Sequence, residues 1–409
     1  HIKGDPGWWA WFDQERYFKA AQAWARGDLT PTEHHYLPGY PLLGAPFVKL
    51  VSVHAYLVVD LICLLVSLWL FSAIASRLAP RLWHARAVGA AVFTLVAAVS
   101  PLGSAIWVVP WSTTGAAPLI FGSLLAAIIF IKQPAPLPAF ATTFLGTLIV
   151  VFRPTDVVPL MLACACGMSA ALLRAWPGSA GAARSVAAAL AGGTLAAGIA
   201  VLAYLPIYGW HSSQYLTSSR LIGFDWGLVP LHWVTIMLDP RPLLDNGQGL
   251  FEAFPWMVPG MCGLVVFVLL PLRRSDRLMH LTVALAVVLY TAVYLAYRDL
   301  HPDNLFQFRL YHYFKWAYPI LAFYAVLLVH AVATERGSRC QVATVALLVA
   351  CVTLPWRAEL EVSSGLVHAT SAGDGTVRFD SDLTSVRDGL LFAASGAYHA
   401  IYLGLHSLT

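Results

Sequence analysis

Long runs of apolar residues, separated by short polar stretches, dominate the pattern of this chain. The runs lack the period-two alternation of a membrane barrel strand, and they therefore predict helices. A helix that crosses a membrane needs about 20 mostly apolar residues. We predict ten membrane-spanning helices from these runs, at 50–72, 87–107, 113–131, 137–152, 156–174, 184–206, 255–272, 278–297, 316–333 and 341–355.

The composition of the 409 residues agrees with a membrane protein. Hydrophobic residues make up 59% and charged residues 11%, against about 45–50% and about 25% in soluble globular proteins. So few charges cannot cover a soluble protein of this size, and we predict an all-α polytopic membrane protein. The net charge is only +4, without a basic cluster interleaved with aromatic residues, so a nucleic-acid partner is not expected.

The distribution of Lys and Arg predicts the orientation. One set of alternate loops holds eleven basic residues and two acids, whereas the other side holds fourteen basic residues and eighteen acids. Cytoplasmic loops carry an excess of Lys and Arg, so the first set is predicted to be cytoplasmic. The first segment, the loops at 207–254 and 298–315, and the C-terminal tail are then external.

Three regions follow from this orientation. Residues 1–49 form an external first loop, residues 50–355 the transmembrane bundle, and residues 356–409 a small external C-terminal segment. Because the chain begins outside the membrane, a further span before His1 is expected, and removal of a signal peptide is the alternative. The apolar stretch at 228–238 predicts an interfacial helix in the long external loop.

The first external segment contains an amphipathic pattern. Residues 9–26 place aromatic and small residues at helical spacing, and Gly27 is suited to end the helix. Such a helix can lie at the membrane interface with its Trp side chains at headgroup depth. A turn rich in Pro and aromatic residues, HHYLPGYP at 34–41, follows it.

This segment resembles a known family. The stretch FDQERYFKAAQAWARGDL, followed by YLPGYPLL, looks like the first periplasmic loop of the GT-C glycosyltransferases, which include the lipid A aminoarabinose transferases and the protein O-mannosyltransferases. The loop of that family carries Asp-Glu-x-Arg-Tyr or a near variant, then a small-residue helix, a Gly and a Pro-rich turn. Asp13, Arg16 and Tyr17 match, whereas Gln14 stands where an acid is common and Glu15 has the acid one place later.

The resemblance implies a GT-C-like helical bundle and an inverting transfer of a sugar from a polyprenyl-phosphate donor. In such a reaction an external Asp, here Asp13, accepts the proton of the acceptor hydroxyl as that hydroxyl attacks the anomeric carbon. The alternative for Asp13 is a surface acid paired to Arg16 three residues later. No cofactor is implied.

The departing phosphate needs cations or hydrogen-bond donors. Arg309, His312 and Lys315 stand directly before a predicted span and are the first candidates, with Arg16 and Arg153 as weaker ones. The alternative for the 298–315 loop is a basic patch that contacts lipid headgroups. Arg153 either pairs with Asp156 across a tight turn or faces the site. Weaker candidates for substrate contacts are Tyr17, His35, Tyr40, Arg220, Asp225 and Tyr311.

Two isolated polar features are interpreted as structural. Asp60 lies inside a predicted span, so it is expected to face the bundle and form hydrogen bonds there. His34 and His35, beside Glu33, are adjacent in sequence and do not share a face, so we predict no metal ion. A lipid-diphosphate donor, in contrast, would favour a divalent cation.

Two other functions remain open. A transporter or flippase for a lipid-linked saccharide needs no base but should carry charges along a path through the membrane, where only Asp60 is found. A glycan polymerase or oligosaccharide transferase that uses a lipid-diphosphate donor shares the arginine-rich external loops. The expected partners are the lipid-linked donor, a lipid, glycan or protein acceptor, and membrane lipids. The expected location is the bacterial inner membrane, with the active site on the periplasmic side.

Overall fold

The computed structural model describes residues 12–50, 55–80, 82, 84–175, 180–241, 248–270, 272–307 and 309–336, together with two strand segments at 369–371 and 377–379. The predicted span at 341–355 lies outside these residues, as does the predicted C-terminal segment 356–409 apart from the two strands. All structural statements below concern the described part of the chain.

The described residues form sixteen α-helices and one pair of short strands. The helices are α1 (Phe12–Arg26), α2 (Gly39–Gly44), α3 (Leu57–Leu78), α4 (Ala85–Thr94), α5 (Pro101–Val108), α6 (Ser112–Lys132), α7 (Pro136–Leu148), α8 (Pro154–Ala175), α9 (Ala180–Tyr208), α10 (Gln214–Ile222), α11 (Val229–His232), α12 (Leu250–Ala253), α13 (Met257–Leu269), α14 (Arg274–Leu295), α15 (Pro302–Gln307) and α16 (Ala317–Arg336). Strands β1 (Ala369–Ser371) and β2 (Val377–Phe379) pair antiparallel.

Irregular helical turns connect several of these elements. The 3₁₀ segments are Pro31–Glu33, Ala45–Phe47, Ile149–Val151, Trp226–Leu228 and Leu310–Phe314, and the π-helical segments are Leu95–Val99 and Trp233–Leu238.

Five helices of the described residues are long and apolar enough to cross a membrane: α3, α6, α8, α9 and α14. A sixth span is possible if α4, the π-helix after it and α5 are taken together, although this pair is bent by 78°. The prediction of a helical chain with membrane-spanning segments is therefore confirmed in this coarser form. The count of ten stays a prediction.

The predicted spans at 137–152, 255–272 and 316–333 coincide with shorter apolar helices, α7, α13 and α16. The predicted span at 87–107 coincides with the bent pair. The bend follows from local sequence, because the Ser100 hydroxyl accepts a hydrogen bond from the Gly103 N–H and Pro101 occupies the first position of α5. Together they start a new helix there instead of continuing the first one.

Helix α6 lies at the centre of the bundle and α9 at its edge. The most apolar stretch of α6 is 78% buried, against 11% for that of α9. Helix α6 packs against α3, α7, α8 and α14, and its Gly, Ala and Ser residues let these neighbours approach closely. The start of α6 is consequently surrounded by other elements, and this end of the bundle carries the polar residues described below.

Helix α1 packs against the bundle instead of standing apart from it. Its Tyr17 and Ala21 form an apolar cluster with Tyr40 of α2 and with Tyr56 and Val59 at the start of α3. The helix ends at Gly27, whose φ of 70° is accessible to glycine at little cost. The predicted helix at 9–26 is thus present from Phe12 onward, and its buried face contacts protein.

A close approach between α13 and α16 yields a stability prediction. A Cβ atom at Gly260 would lie 2.3 Å from the carbonyl oxygen of Leu321. We expect Gly260→Ala to force the two helices apart and to lower stability by about 1–3 kcal/mol, measured as a lower Tm of the detergent-purified protein. Gly198→Ala in α9 is the matched control, because a Cβ there meets nothing within 4 Å. Equal Tm values for the two variants would contradict the packing of α13 on α16.

Candidate functional site

Asp13 lies in the first turn of α1 and contacts the Pro-rich turn that follows this helix. The hydroxyl of Tyr36 donates a short hydrogen bond to Asp13 Oδ1. The Tyr36 ring packs against Tyr17 at 4.5 Å and against Tyr215 of α10 at 5.1 Å between ring centroids. The Asp13 carboxylate is therefore held in place at the junction of α1, the 34–41 turn and α10.

The environment of Asp13 favours a proton-accepting role. Burial raises the pKa of its carboxyl, and the Tyr36 hydrogen bond and the charges of His35 and Arg153 partly oppose this shift. The net pKa is above the usual value for Asp, while the side chain remains only partly buried. A carboxylate of raised pKa is a stronger base than an exposed one.

Helix α1 is attached to the start of α6 by two side chains. The amide of Gln14 donates to the carbonyl oxygen of Pro110 at 3.0 Å, and the Tyr17 hydroxyl donates to Ser112 Oγ at 3.2 Å. Gln14 is only 2% exposed, so an ionised acid at this position would be buried and unable to donate this bond. The amide of Gln14 thus supplies a hydrogen-bond donor that a carboxylate at this position would lack.

Arg153 is a buried cation at the turn between the 3₁₀ segment Ile149–Val151 and α8. Its guanidinium donates two hydrogen bonds to the Tyr294 hydroxyl, at 3.3 Å from Nε and 2.8 Å from Nη2, and one to Ser112 Oγ at 3.5 Å. The Tyr313 ring lies under it at 4.6 Å, a cation–π distance. These contacts fix the guanidinium near the start of α6.

Arg153 also forms an ion pair with Asp156, which was one of the two alternatives predicted for it from the sequence. Its Nε lies 3.5 Å from Asp156 Oδ1, and the Tyr294 hydroxyl donates to the same carboxylate oxygen at 2.5 Å. Both charged residues are buried, which makes pairing necessary. The charge of Arg153 nevertheless acts beyond Asp156, because it opposes part of the upward shift that burial causes in the pKa of Asp13.

His312 lies in the 3₁₀ segment Leu310–Phe314 and stacks on Trp111 at 3.8 Å between ring centroids. Its Nδ1 lies 2.9 Å from the carbonyl oxygen of Arg309, and because a carbonyl only accepts, Nδ1 carries the proton. Burial and the charges of Arg153 and Lys315 hold the pKa of His312 well below its usual value. His312 is thus a neutral ring at pH 7.

Lys315 is the second buried cation of this region. Its ammonium donates to Thr114 Oγ1 and lies 4.9 Å from the Trp107 ring centroid. Burial lowers the pKa of Lys315 to about 7, although the nearby carboxyl of Asp60 raises it. Asp60 in turn accepts a hydrogen bond of 2.6 Å from Tyr40, in agreement with the structural role expected for it.

These groups form one electrostatic unit at the end of the bundle where α6 begins. Arg153 acts on the pKa of Asp13, of His312 and of Lys315. Its guanidinium and the Tyr17 hydroxyl both donate to Ser112 Oγ, so α1, α6 and the start of α8 meet at this atom. The structure thus brings together Asp13, Arg153, His312 and Lys315, which are far apart in sequence.

The remaining predicted residues are distributed differently. Tyr17, His35 and Tyr40 border the Asp13 region, and His35 Nδ1 lies 3.0 Å from the side-chain oxygen of Gln214. Arg16 and Arg309 are partly exposed, and Arg309 has a left-handed φ of 56° at the start of its 3₁₀ segment.

Three of the residues predicted to contact substrate have other neighbours in the structure and make no described contact with the Asp13 site. Arg220 is exposed on α10, and Asp225 pairs with Arg298 at 3.3 Å. Tyr311 is 2% exposed and packs on Phe306 in the apolar core.

Several residues of the site escaped the sequence analysis. Tyr36 lies in the quoted Pro-rich turn, and only its hydrogen bond to Asp13 distinguishes it from other aromatic residues there. The polar sequence Ser112-Thr113-Thr114, directly after a Trp at the head of an apolar run, was an available signal. Burial and the negative charge of Asp13 raise the pKa of Asp299. Asp299 is therefore a second carboxyl close enough to Asp13 to interact with it electrostatically.

Comparison with protein-family models, with curated proteins and with solved structures finds no match to this chain. The resemblance to GT-C enzymes consequently rests on the Asp13 motif. The described residues contain no group of three or more His, Cys, Asp and Glu side chains placed to hold a metal ion. The expectation of a metal-independent site stays a prediction.

The buried Arg153–Asp156 pair yields a prediction that a double-mutant cycle can test. Arg153→Met leaves the Asp156 carboxylate buried without its cation, so we expect a loss of about 3–5 kcal/mol of stability. Asp156→Asn in the same chain should restore part of this loss, because the amide carries no charge. The Tm of each detergent-purified variant is the measurement. Additive losses in the double variant would contradict the coupling.

Proposed function

We propose that the chain is an inverting membrane glycosyltransferase that moves a sugar from a polyprenyl-phosphate donor to an acceptor hydroxyl. The observation that carries this proposal is the meeting of a carboxylate of raised pKa, Asp13, with two buried cations, Arg153 and Lys315, at one end of the bundle. A base for the acceptor and positive charge for a phosphate leaving group are the two requirements of this reaction.

The reaction balances with these residues alone. The acceptor oxygen forms a bond to the anomeric carbon from the face opposite the leaving group, and the bond from that carbon to the phosphate oxygen breaks. The acceptor proton passes to an Asp13 carboxylate oxygen. The electron pair of the broken bond stays on the phosphate, which leaves as the polyprenyl phosphate with one additional negative charge.

The two cations stabilise the charge that develops on the phosphate. Arg153 is held by Tyr294 and Asp156, and Lys315 by Thr114, so neither must reorganise during the reaction. His312 has a different role from the one expected from sequence, because its ring is neutral and its Nδ1 proton bonds to a backbone carbonyl. It lines the site as a polar ring beside Trp111 and contributes no charge.

The membrane arrangement belongs to the same proposal. We place Asp13 and the two cations on the external face of a bacterial inner membrane, in a GT-C-like bundle of about ten spans. The excess of Lys and Arg in the opposite loops supports this orientation. A donor with a long lipid tail could then stay in the membrane while its phosphate and sugar reach the external end of the bundle.

Asp13→Asn is the direct test of the base. It keeps the size of the side chain and removes its basicity, so turnover of a polyprenyl-phosphate sugar by the purified protein should fall by about 100-fold or more. Donor binding should be largely retained. Glu15→Gln is the matched control, because Glu15 is exposed on the same helix, and its turnover should stay near that of the wild type. Near-normal turnover in Asp13→Asn would remove Asp13 as the base.

Lys315 predicts a pH dependence of donor binding. Its pKa of about 7 means that the ammonium is charged below this pH and neutral above it. The donor is a phosphodiester, whose single charge does not change in this range. Donor affinity should therefore fall as the pH rises from 6 to 9.

The control for this titration is Lys315→Arg, since a guanidinium stays charged throughout the range. Donor affinity measured by equilibrium binding at several pH values should decline less steeply in this variant than in the wild type. Identical pH profiles for the two proteins would show that another group is responsible.

A further inference from the structure

The start of α6 is a buried helix N-terminus that lacks a cap. Trp111 is the N-cap residue, and its side chain makes no capping hydrogen bond. Trp111, Ser112, Thr113 and Thr114 are all buried. The Thr114 N–H already donates to the Trp111 carbonyl oxygen at 2.8 Å. The N–H groups of Ser112 and Thr113, which come before it, have no partner within the helix and need a side chain, water or a ligand. Ser, Thr, Asp and Asn are the residues that normally cap, and an indole cannot accept in their place.

Positive charge surrounds this N-terminus. Arg153 donates to Ser112 Oγ, and Lys315 donates to Thr114 Oγ1. The N-terminal end of a helix already carries a partial positive charge, so nearby cations raise the energy of this arrangement. Asp156 pairs with Arg153 at 3.5 Å, and the nearby Asp60 carboxyl acts on Lys315, so these carboxylates compensate part of this positive charge. An anion at the helix end would relieve this repulsion.

Two donors at the same place lack a partner. The Thr113 hydroxyl and the Trp111 indole N–H are buried and make no hydrogen bond within the described part of the chain. Such groups are rare in folded proteins, because leaving a buried donor unpaired costs about 1–3 kcal/mol. Their missing partners are an observation separate from the missing cap, and a ligand with several acceptor oxygens would supply those partners.

We propose that the first turn of α6, Trp111 to Thr114, binds the phosphate group of a lipid phosphate. A phosphate offers acceptor oxygens to backbone N–H groups, to the Thr113 hydroxyl and to the indole N–H at once, and its negative charge matches both the helix end and the flanking cations. The first turn of α6 would then supply the hydrogen-bond donors, and Arg153 and Lys315 would neutralise the negative charge of the phosphate. The phosphate site is inferred from the helix end and its unpaired donors. Only the choice of a polyprenyl lipid as the carrier of the phosphate rests on the proposed function.

The test is binding, without a sugar. The detergent-purified full chain is titrated with a short-chain polyprenyl phosphate and, separately, with the corresponding uncharged polyprenol, and affinity is measured by equilibrium binding. The wild type should bind the phosphate and bind the alcohol at least about tenfold more weakly. Equal binding of the two lipids would overturn the proposal, because only the tail would then be recognised.

The variants localise the phosphate. Thr113→Val keeps the side-chain shape and removes the hydroxyl, and Trp111→Phe keeps an aromatic ring on His312 and removes the N–H. Each should weaken binding of the polyprenyl phosphate about tenfold, the typical effect of losing a hydrogen bond to a charged group. Ser123→Ala is the matched control, since this buried hydroxyl of α6 donates to Thr142 in the middle of the bundle. Wild-type affinity in both Thr113→Val and Trp111→Phe would overturn the assignment.

A parallel assay separates this inference from the proposed function. Sugar transfer from a polyprenyl-phosphate donor is measured with the same wild-type preparation. Phosphate binding that depends on Thr113, without any sugar transfer, would support the α6 site and remove the glycosyltransferase proposal. Sugar transfer combined with binding that is indifferent to both substitutions would remove the α6 site alone.

Discussion

Arg153 is only 6% exposed, and a cation removed from water at this depth must be compensated by its neighbours. The cost of burying an unpaired charge is several kcal/mol, and four elements supply the compensation. Asp156 of α8 provides the countercharge, Tyr294 of α14 accepts two hydrogen bonds, Ser112 of α6 accepts a third, and Tyr313 presents its ring face. The end of the bundle where α6 begins is organised around this requirement.

The same contacts determine where the carboxylate can lie. Ser112 accepts from Arg153 and from Tyr17, and Gln14 holds α1 to the residue that precedes α6 by two positions. Asp13 thereby lies close enough to Arg153 for its charge to act on the carboxyl pKa, and it accepts a hydrogen bond from the Tyr36 hydroxyl. A carboxylate, two cations and an uncapped helix end share one region because the hydrogen bonds of Gln14 and Tyr17 attach α1 to the start of α6. The chemistry that we propose depends on this attachment.

The sequence predicted those features of the fold that follow from the chemistry of one residue type alone. Apolar runs predicted the spanning helices, Gly27 predicted the end of α1, and the mid-span position of Asp60 predicted an inward, hydrogen-bonded carboxyl that accepts from Tyr40. The bend after Val99 and the shortness of α7, α13 and α16 were not predicted, because mean apolar character does not record where a helix is capped or broken.

The partners of the site residues could not be predicted from one sequence. Lys315 and Thr114 are 201 positions apart, and Arg153 and Tyr294 are 141 apart, so no local pattern connects them. The neutral state of His312 depends on the burial and on the two cations that the fold supplies. The position of His312 before a predicted span makes it a candidate cation or donor, and its charge state follows only from its three-dimensional neighbours.

We propose that a lipid monophosphate is the leaving group at this site. The most direct measurement uses the purified protein in lipid vesicles and compares two synthetic donors that carry the same labelled sugar, one on a polyprenyl phosphate and one on a polyprenyl diphosphate. We expect transfer of label from the monophosphate donor, with inversion at the anomeric carbon and release of polyprenyl phosphate. Transfer from the diphosphate donor alone, or movement of the intact donor across the membrane without transfer, would contradict it.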